Sequence, residues 1–163
     1  MGSSAAIDVL VVDESQAFLA GTSRWIASRP DLRLVGTARS GPEALEAVER
    51  LRPDLVIVEA VLTGMDGFQL ARTLKKRESA PLILLVTFHA SAAARAEAYA
   101  AGADGFLAKY DFSDEIEAIL EEWRVVLPGR DGQPGRDGRP GRAEGVRTPE
   151  TRARRGSRSE PDP

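Results

Sequence analysis

Three carboxylates, one hydroxyl and one amine each follow directly on a short apolar run. Asp13 and Glu14 come after IDVLVV, Glu59 after LVIV, Thr87 after the run ending at Val86, and Lys109 after GFLA. Such a set suits a divalent cation together with a phosphoryl group. Hard oxygen ligands hold Mg2+, which keeps several of its own waters and shares a phosphate. An ammonium and a hydroxyl bind the remaining phosphate oxygens as point charge and donor. A central carboxylate can accept the phosphoryl group as an acyl phosphate. Taken singly, each of these residues is an ordinary strand-end acid, hydroxyl or base, and only their joint placement points to chemistry.

The elements that must position them follow from periodicity. Residues 7–12, 55–58, 81–86 and 105–108 are short apolar runs, as expected of strands buried on both faces, and 32–38 alternates like a less buried strand. Between them lie stretches with helical spacing. Ser15 precedes Phe18, Leu19, Thr22 and Ile26; Ser40 precedes Pro42, Glu43, Ala44, Leu45, Val48 and Leu51. Asp66 precedes Leu70, Ala71 and Leu74; residues 91–101 are alanine-rich and end at Gly102; Ser113 precedes Ile116, Ile119, Leu120, Trp123 and Leu127. Five strands alternating with five helices predict an α/β domain with a doubly wound parallel sheet and right-handed crossovers. In such sheets ligands bind at the carboxyl ends of the strands, which is where the five polar residues stand.

Composition bounds the rest. The chain has 163 residues, a formal net charge of −3 and no cysteine, so a disulfide framework and a thiolate metal site are excluded. The apolar runs are too short to span a bilayer, and MGSSAAID lacks the features of a signal peptide, so a cytoplasmic protein is expected. From Pro128 onward nine Arg face six acids, which leaves −6 on residues 1–127 and makes that part a poor nucleic-acid binder. Residues 129–143 are five Gly-X-Y triplets, and the remainder is nearly devoid of apolar side chains. Segments 1–6 and 128–163 are therefore expected to be disordered, flanking a domain at 7–127.

The segments VLVVDE, PDLVIVEAVLTGMDGFQL, VT at 86–87 and AGADGFLAK resemble the receiver domains of response regulators in two-component phosphorelay signalling. The resemblance covers about residues 7–127. SRPDLRLVGTARSGPEAL is most similar to the subgroup whose receiver is followed by a helix-turn-helix DNA-binding domain, and no such domain follows in this chain. The resemblance implies a flavodoxin-like fold with strand order 2-1-3-4-5. It assigns Asp13 and Glu14 to the acidic pocket that holds Mg2+, Glu59 to the phosphoacceptor position, and the Val61 carbonyl to a further metal ligand. Thr87 and Lys109 correspond to the phosphoryl-contacting hydroxyl and amine, and Phe106 to the aromatic switch that turns inward with Thr87. The partners implied are a histidine kinase or another signalling protein. The face at residues 90–127 is the expected output surface and the candidate homodimer surface. Nothing in the resemblance implies a membrane or an enzyme activity.

Glu59 is the main departure from that pattern. Its extra methylene moves the carboxylate by roughly one ångström, and a displacement of that size can cost about a hundredfold in rate. Mg2+ also tolerates distorted octahedra poorly, so its binding is expected to be weak. The longer side chain can instead reach Lys109 or Thr87 and imitate part of the phosphorylated state. The reading is an atypical stand-alone receiver, a pseudo-receiver acting through partner proteins. Thr63 replaces a usual proline, and Tyr110 another. Two other classes stay open: an enzyme on the same fold, such as a phosphatase or a nucleotide or flavin binder, and a structural protein assembled through the tail. The first lacks a glycine-rich phosphate loop, since Asp13-Glu14-Ser15-Gln16 stands there. His89 is read as solvent-exposed, and Trp25 and Trp123 as packing.

Overall fold

The structure is a computed structural model and describes residues 5–127. The expectations for the first residues and for the Gly-X-Y tail fall on residues 1–4 and 128–163, outside the described ones. Five strands alternate with five helices: β1 (Ile7–Val12), α1 (Gln16–Ala27), β2 (Leu32–Ala38), α2 (Gly41–Leu51), β3 (Leu55–Glu59), α3 (Gly67–Lys75), β4 (Leu82–Thr87), α4 (Ala92–Ala100), β5 (Gly105–Ala108) and α5 (Phe112–Trp123). All strand pairs are parallel, in the order β2-β1-β3-β4-β5.

The continuous apolar runs are explained by two separate cores. Side chains alternate across a strand, so Leu10, Val12, Val56, Val58, Ile83 and Leu85 pack beneath α2, α3 and α4. Val9, Val11, Leu55, Ile57, Leu84 and Val86 pack beneath α1 and α5 on the opposite face. Because both faces are covered, the inner strands tolerate no polar residue except at their ends. Strand β2 lies at an edge, which accounts for its half-exposed alternation.

Four helices begin at a side-chain cap; Ser15, Ser40 and Asp66 stand where the sequence places a helix start, whereas Ser91 caps α4 from outside it. Ser15, Ser40 and Ser91 accept from the amides of Phe18, Glu43 and Ala94, and Asp66 forms a reciprocal capping box with Gln69. The last helix departs from expectation at both ends. It begins at Phe112 rather than after Ser113, preceded by a 3-10 turn over Lys109–Asp111 without a side-chain cap. Its start is set by packing: the Phe112 ring meets Phe18 and Trp25 edge-to-face at 5.7 and 5.6 Å. It also ends at Trp123, and Leu127 is buried beyond it, after a turn.

One glycine is fixed by contact. A Cβ on Gly67 would lie 2.3 Å from the Glu59 carbonyl oxygen and 2.9 Å from the Ala60 Cα. The amino end of α3 can therefore abut the end of β3 only with glycine there. No helix among the described residues is long and apolar enough to cross a membrane.

Candidate functional site

Strand register lines up the polar ends. Val12 is level with Val58, Glu59 with Val86, and Thr87 with Ala108. Asp13 and Lys109, one residue past their strands, consequently reach the same edge as Glu59 and Thr87. These four are buried, at 2% for Asp13, 7% for Glu59, 1% for Thr87 and 9% for Lys109. Among the described residues only one other polar side chain, Thr22, is as deeply buried. Burying charge is costly unless it is paired, so the chemistry of this edge lies in the pairing.

Lys109 is the hub. Its Nζ lies 2.5 Å from Asp13 Oδ2 and 2.6 Å from Glu59 Oε2. The rings of Phe18 and Phe88 flank the ammonium with centroids at 4.4 and 5.0 Å, within cation–π range. The remaining carboxylate oxygens are also occupied. Asp13 Oδ1 accepts the Ser15 amide at 2.8 Å, and Glu59 Oε1 accepts the Val61 amide at 2.9 Å.

Glu14 does not join this group. Its Oε1 accepts the Thr63 amide at 2.6 Å, reaching from the β1–α1 loop to the β3–α3 loop, while Arg39 Nη2 donates to the Glu14 carbonyl at 2.9 Å. The Thr63 amide, helped by the Arg39 charge, holds the Glu14 carboxyl below its ordinary range. Thr87 is likewise engaged elsewhere, its Oγ1 accepting the His89 amide at 3.1 Å. His89 itself is exposed, as is the Val61 side chain. Phe106 is buried under the Arg95 guanidinium, which stands 5.5 Å from its ring centroid. Behind Lys109 a cleft of about 270 Å³ separates α1 from α5, lined by Phe18, Gly21, Thr22, Trp25 and Phe112.

Of the residues expected to form a site, the fold thus brings Asp13, Glu59 and Lys109 into contact and places Thr87 at the same buried edge. Glu14 turns instead to the Thr63 amide, and Val61 gives its amide to Glu59. Among the described residues, no three acidic or imidazole groups gather in a way that could hold a metal ion. Asp13 and Glu59 each give one oxygen to a backbone amide and the other to the Lys109 ammonium; Asp13 Oδ2, paired with that ammonium, accepts no hydrogen bond. The donor set as arranged therefore meets Mg2+ with a cation already in place and not with the near-octahedral oxygen ligands it needs. Sequence reasoning missed Phe18, Phe88, Arg39 and Arg95. Only Phe88, adjacent to Thr87, carried a positional signal; the others are brought in by packing between distant elements.

Comparison with known proteins agrees with this geometry. The model of the response regulator receiver domain matches residues 9–121. A protein-glutamate methylesterase/protein-glutamine glutaminase of Syntrophus aciditrophicus is 40% identical over 79 residues, covering 48% of this chain and 23% of that protein. The chain thus spans about a quarter of the length of that curated relative. The signal receiver domain of the putative response regulator NarL from Mycobacterium tuberculosis superposes with a TM-score of 0.67 at 32% identity, covering 71% of this chain and 94% of that one. The response regulator domain of Thermotoga maritima CheB gives 0.65 at 28% identity, with 74% and 95% covered. With strand order, buried strand-end residues and matched segments in accord, the chain belongs to the response regulator receiver domain family of two-component signalling.

Proposed function

We propose that this receiver domain signals by binding partner proteins while its phosphoacceptor position is closed to phosphoryl transfer. The observation carrying this reading is the Glu59 carboxylate. It is nearly inaccessible, and its two oxygens are held by the Val61 amide and the Lys109 ammonium. A phosphoryl donor would have to displace a buried ion pair before meeting a nucleophile, and breaking such a pair costs several kcal/mol.

Part of the phosphorylated arrangement is imitated and part is not. Lys109 is engaged by a carboxylate at the acceptor position, and Phe106 is turned inward beneath Arg95. Thr87, however, caps the following loop through His89 instead of turning to the acceptor. A domain held in this mixed state presents a fixed α4–β5–α5 face, including the exposed Tyr110 and Val125 beyond it, to a histidine kinase or another signalling protein. The same face is the candidate homodimer surface. The enzyme alternative has no comparable support, because the β1–α1 loop hydroxyl, Ser15, caps α1 through the Phe18 amide.

The test is an amide NMR titration with Mg2+ and then beryllofluoride, on the native chain and on Glu59→Asp. Responses at Thr87, Phe106 and Lys109 confined to Glu59→Asp support the reading. An equal response by the native chain returns it to the phosphorylation-dependent switches.

A further inference from the structure

We propose that Lys109 is a built-in cation that occupies the place a divalent metal would take, making the closed pocket of this domain metal-independent. The inference rests on reading the pocket as a receiver-derived phosphoryl site and adds how its charge is balanced. Asp13 and Glu59 are the two carboxylates that converge, and their converging oxygens are bridged by one ammonium whose side chain is 3% exposed. A dication could enter only beside that ammonium or by expelling it. Entry beside it sets like charges together in a buried space, where screening is weak. Expulsion strips Lys109 of two carboxylates and two aromatic faces at once.

The third acid expected to serve a metal is engaged elsewhere. Glu14 instead straps the β1–α1 loop to the β3–α3 loop through the Thr63 amide, and Arg39 holds the same loop by the Glu14 carbonyl. Glu59 is the residue that makes this possible. Its longer side chain carries one oxygen to Lys109 while the other keeps the Val61 amide, so one carboxylate serves both the cation and the turn.

The experiment is a titration of the full chain with Mn2+, read as paramagnetic broadening of the Asp13, Glu59 and Val61 amides, with Mg2+ as the diamagnetic control. The native chain is expected to show no saturable broadening. Lys109→Met, which removes the built-in cation, is expected to bind Mn2+ about tenfold tighter or more. Glu59→Asp, which withdraws the clamp with little change in volume, is expected to do the same and covers the case in which Lys109→Met does not fold. Saturable binding by the native chain overturns the inference, and so does silence from every folded variant. The beryllofluoride response decides the functional reading separately. Native Mn2+ binding without that response overturns the built-in cation alone. A native beryllofluoride response without Mn2+ binding overturns the phosphoryl-closed reading alone.

Discussion

Gly67 and Glu59 meet backbone to backbone, so closely that a Cβ on Gly67 would stand 2.3 Å from the Glu59 carbonyl oxygen. Gly67 is the first residue of α3, where alanine would ordinarily favour the helix. The contact reverses that preference. Gly67→Ala is expected to destabilise the domain by about 1–3 kcal/mol, as overpacking does, and to disturb the Glu59 amide in NMR spectra. A more stable Gly67→Ala protein in urea denaturation would contradict the close approach.

Gly21 predicts the opposite sign. It lies in the middle of α1, and a Cβ there would meet nothing within 4 Å. Gly21→Ala is expected to stabilise the fold by about 0.5–1 kcal/mol through helix propensity and a less disordered unfolded chain. Denaturation midpoints of the two glycine variants, measured side by side, check both signs.

Lys109→Met leaves Asp13 and Glu59 facing each other without their shared cation. A loss of about 3–5 kcal/mol at neutral pH is expected. Adding Glu59→Gln to Lys109→Met removes one of the two uncompensated charges and should recover part of that loss. A double-mutant cycle that finds the two sites additive would mean the 2.6 Å contact is energetically idle.

Two acids outside the pocket give opposite pH behaviour. Hydrogen bonding to Arg29, with further help from Arg124, holds the Asp31 carboxyl below its ordinary range. Its stabilising contribution is present above the unfolded-state pKa and is lost as pH falls through the lower folded value. Burial chiefly, with the neighbouring Asp8 charge, pushes the Asp54 carboxyl up. Its contribution is complete below the unfolded pKa and is lost as pH rises through the folded one. Asp54→Asn can still accept the Asp8 amide. Its stability relative to the native chain should therefore increase from pH 4 to pH 7, whereas that of Asp31→Asn should decrease, as read by denaturation at the two pH values.

The fold was legible because its signals are local and agree with one another. β-Branched runs, capping residues and the breaks at Pro53, Pro81 and Gly102 each mark a boundary without help from distant contacts. The site was legible to the level of Cα positions: parallel strands that end in register bring Asp13, Glu59, Thr87 and Lys109 to one edge. Side-chain direction was not. Glu14 sits where a metal ligand was expected, yet its carboxylate accepts the Thr63 amide, a loop position that periodicity does not describe. The start of α5 was misplaced for the same reason, since the Phe112 ring is fixed by Phe18 and Trp25 on α1.

The Lys109 clamp also has a mechanical meaning. Asp13 follows the first strand and Lys109 the last, and β3 and β4 lie between those strands in the sheet. One ammonium thus cross-ties the first and last strands across the top of the sheet, over a long loop whose closure is entropically costly. Strand β5 cannot detach without parting Lys109 from the buried carboxylates of Asp13, just past β1, and Glu59, at the end of β3, which ties its fraying to the loss of the core. In exchange experiments the β5 amides should open with the global transition and not ahead of it.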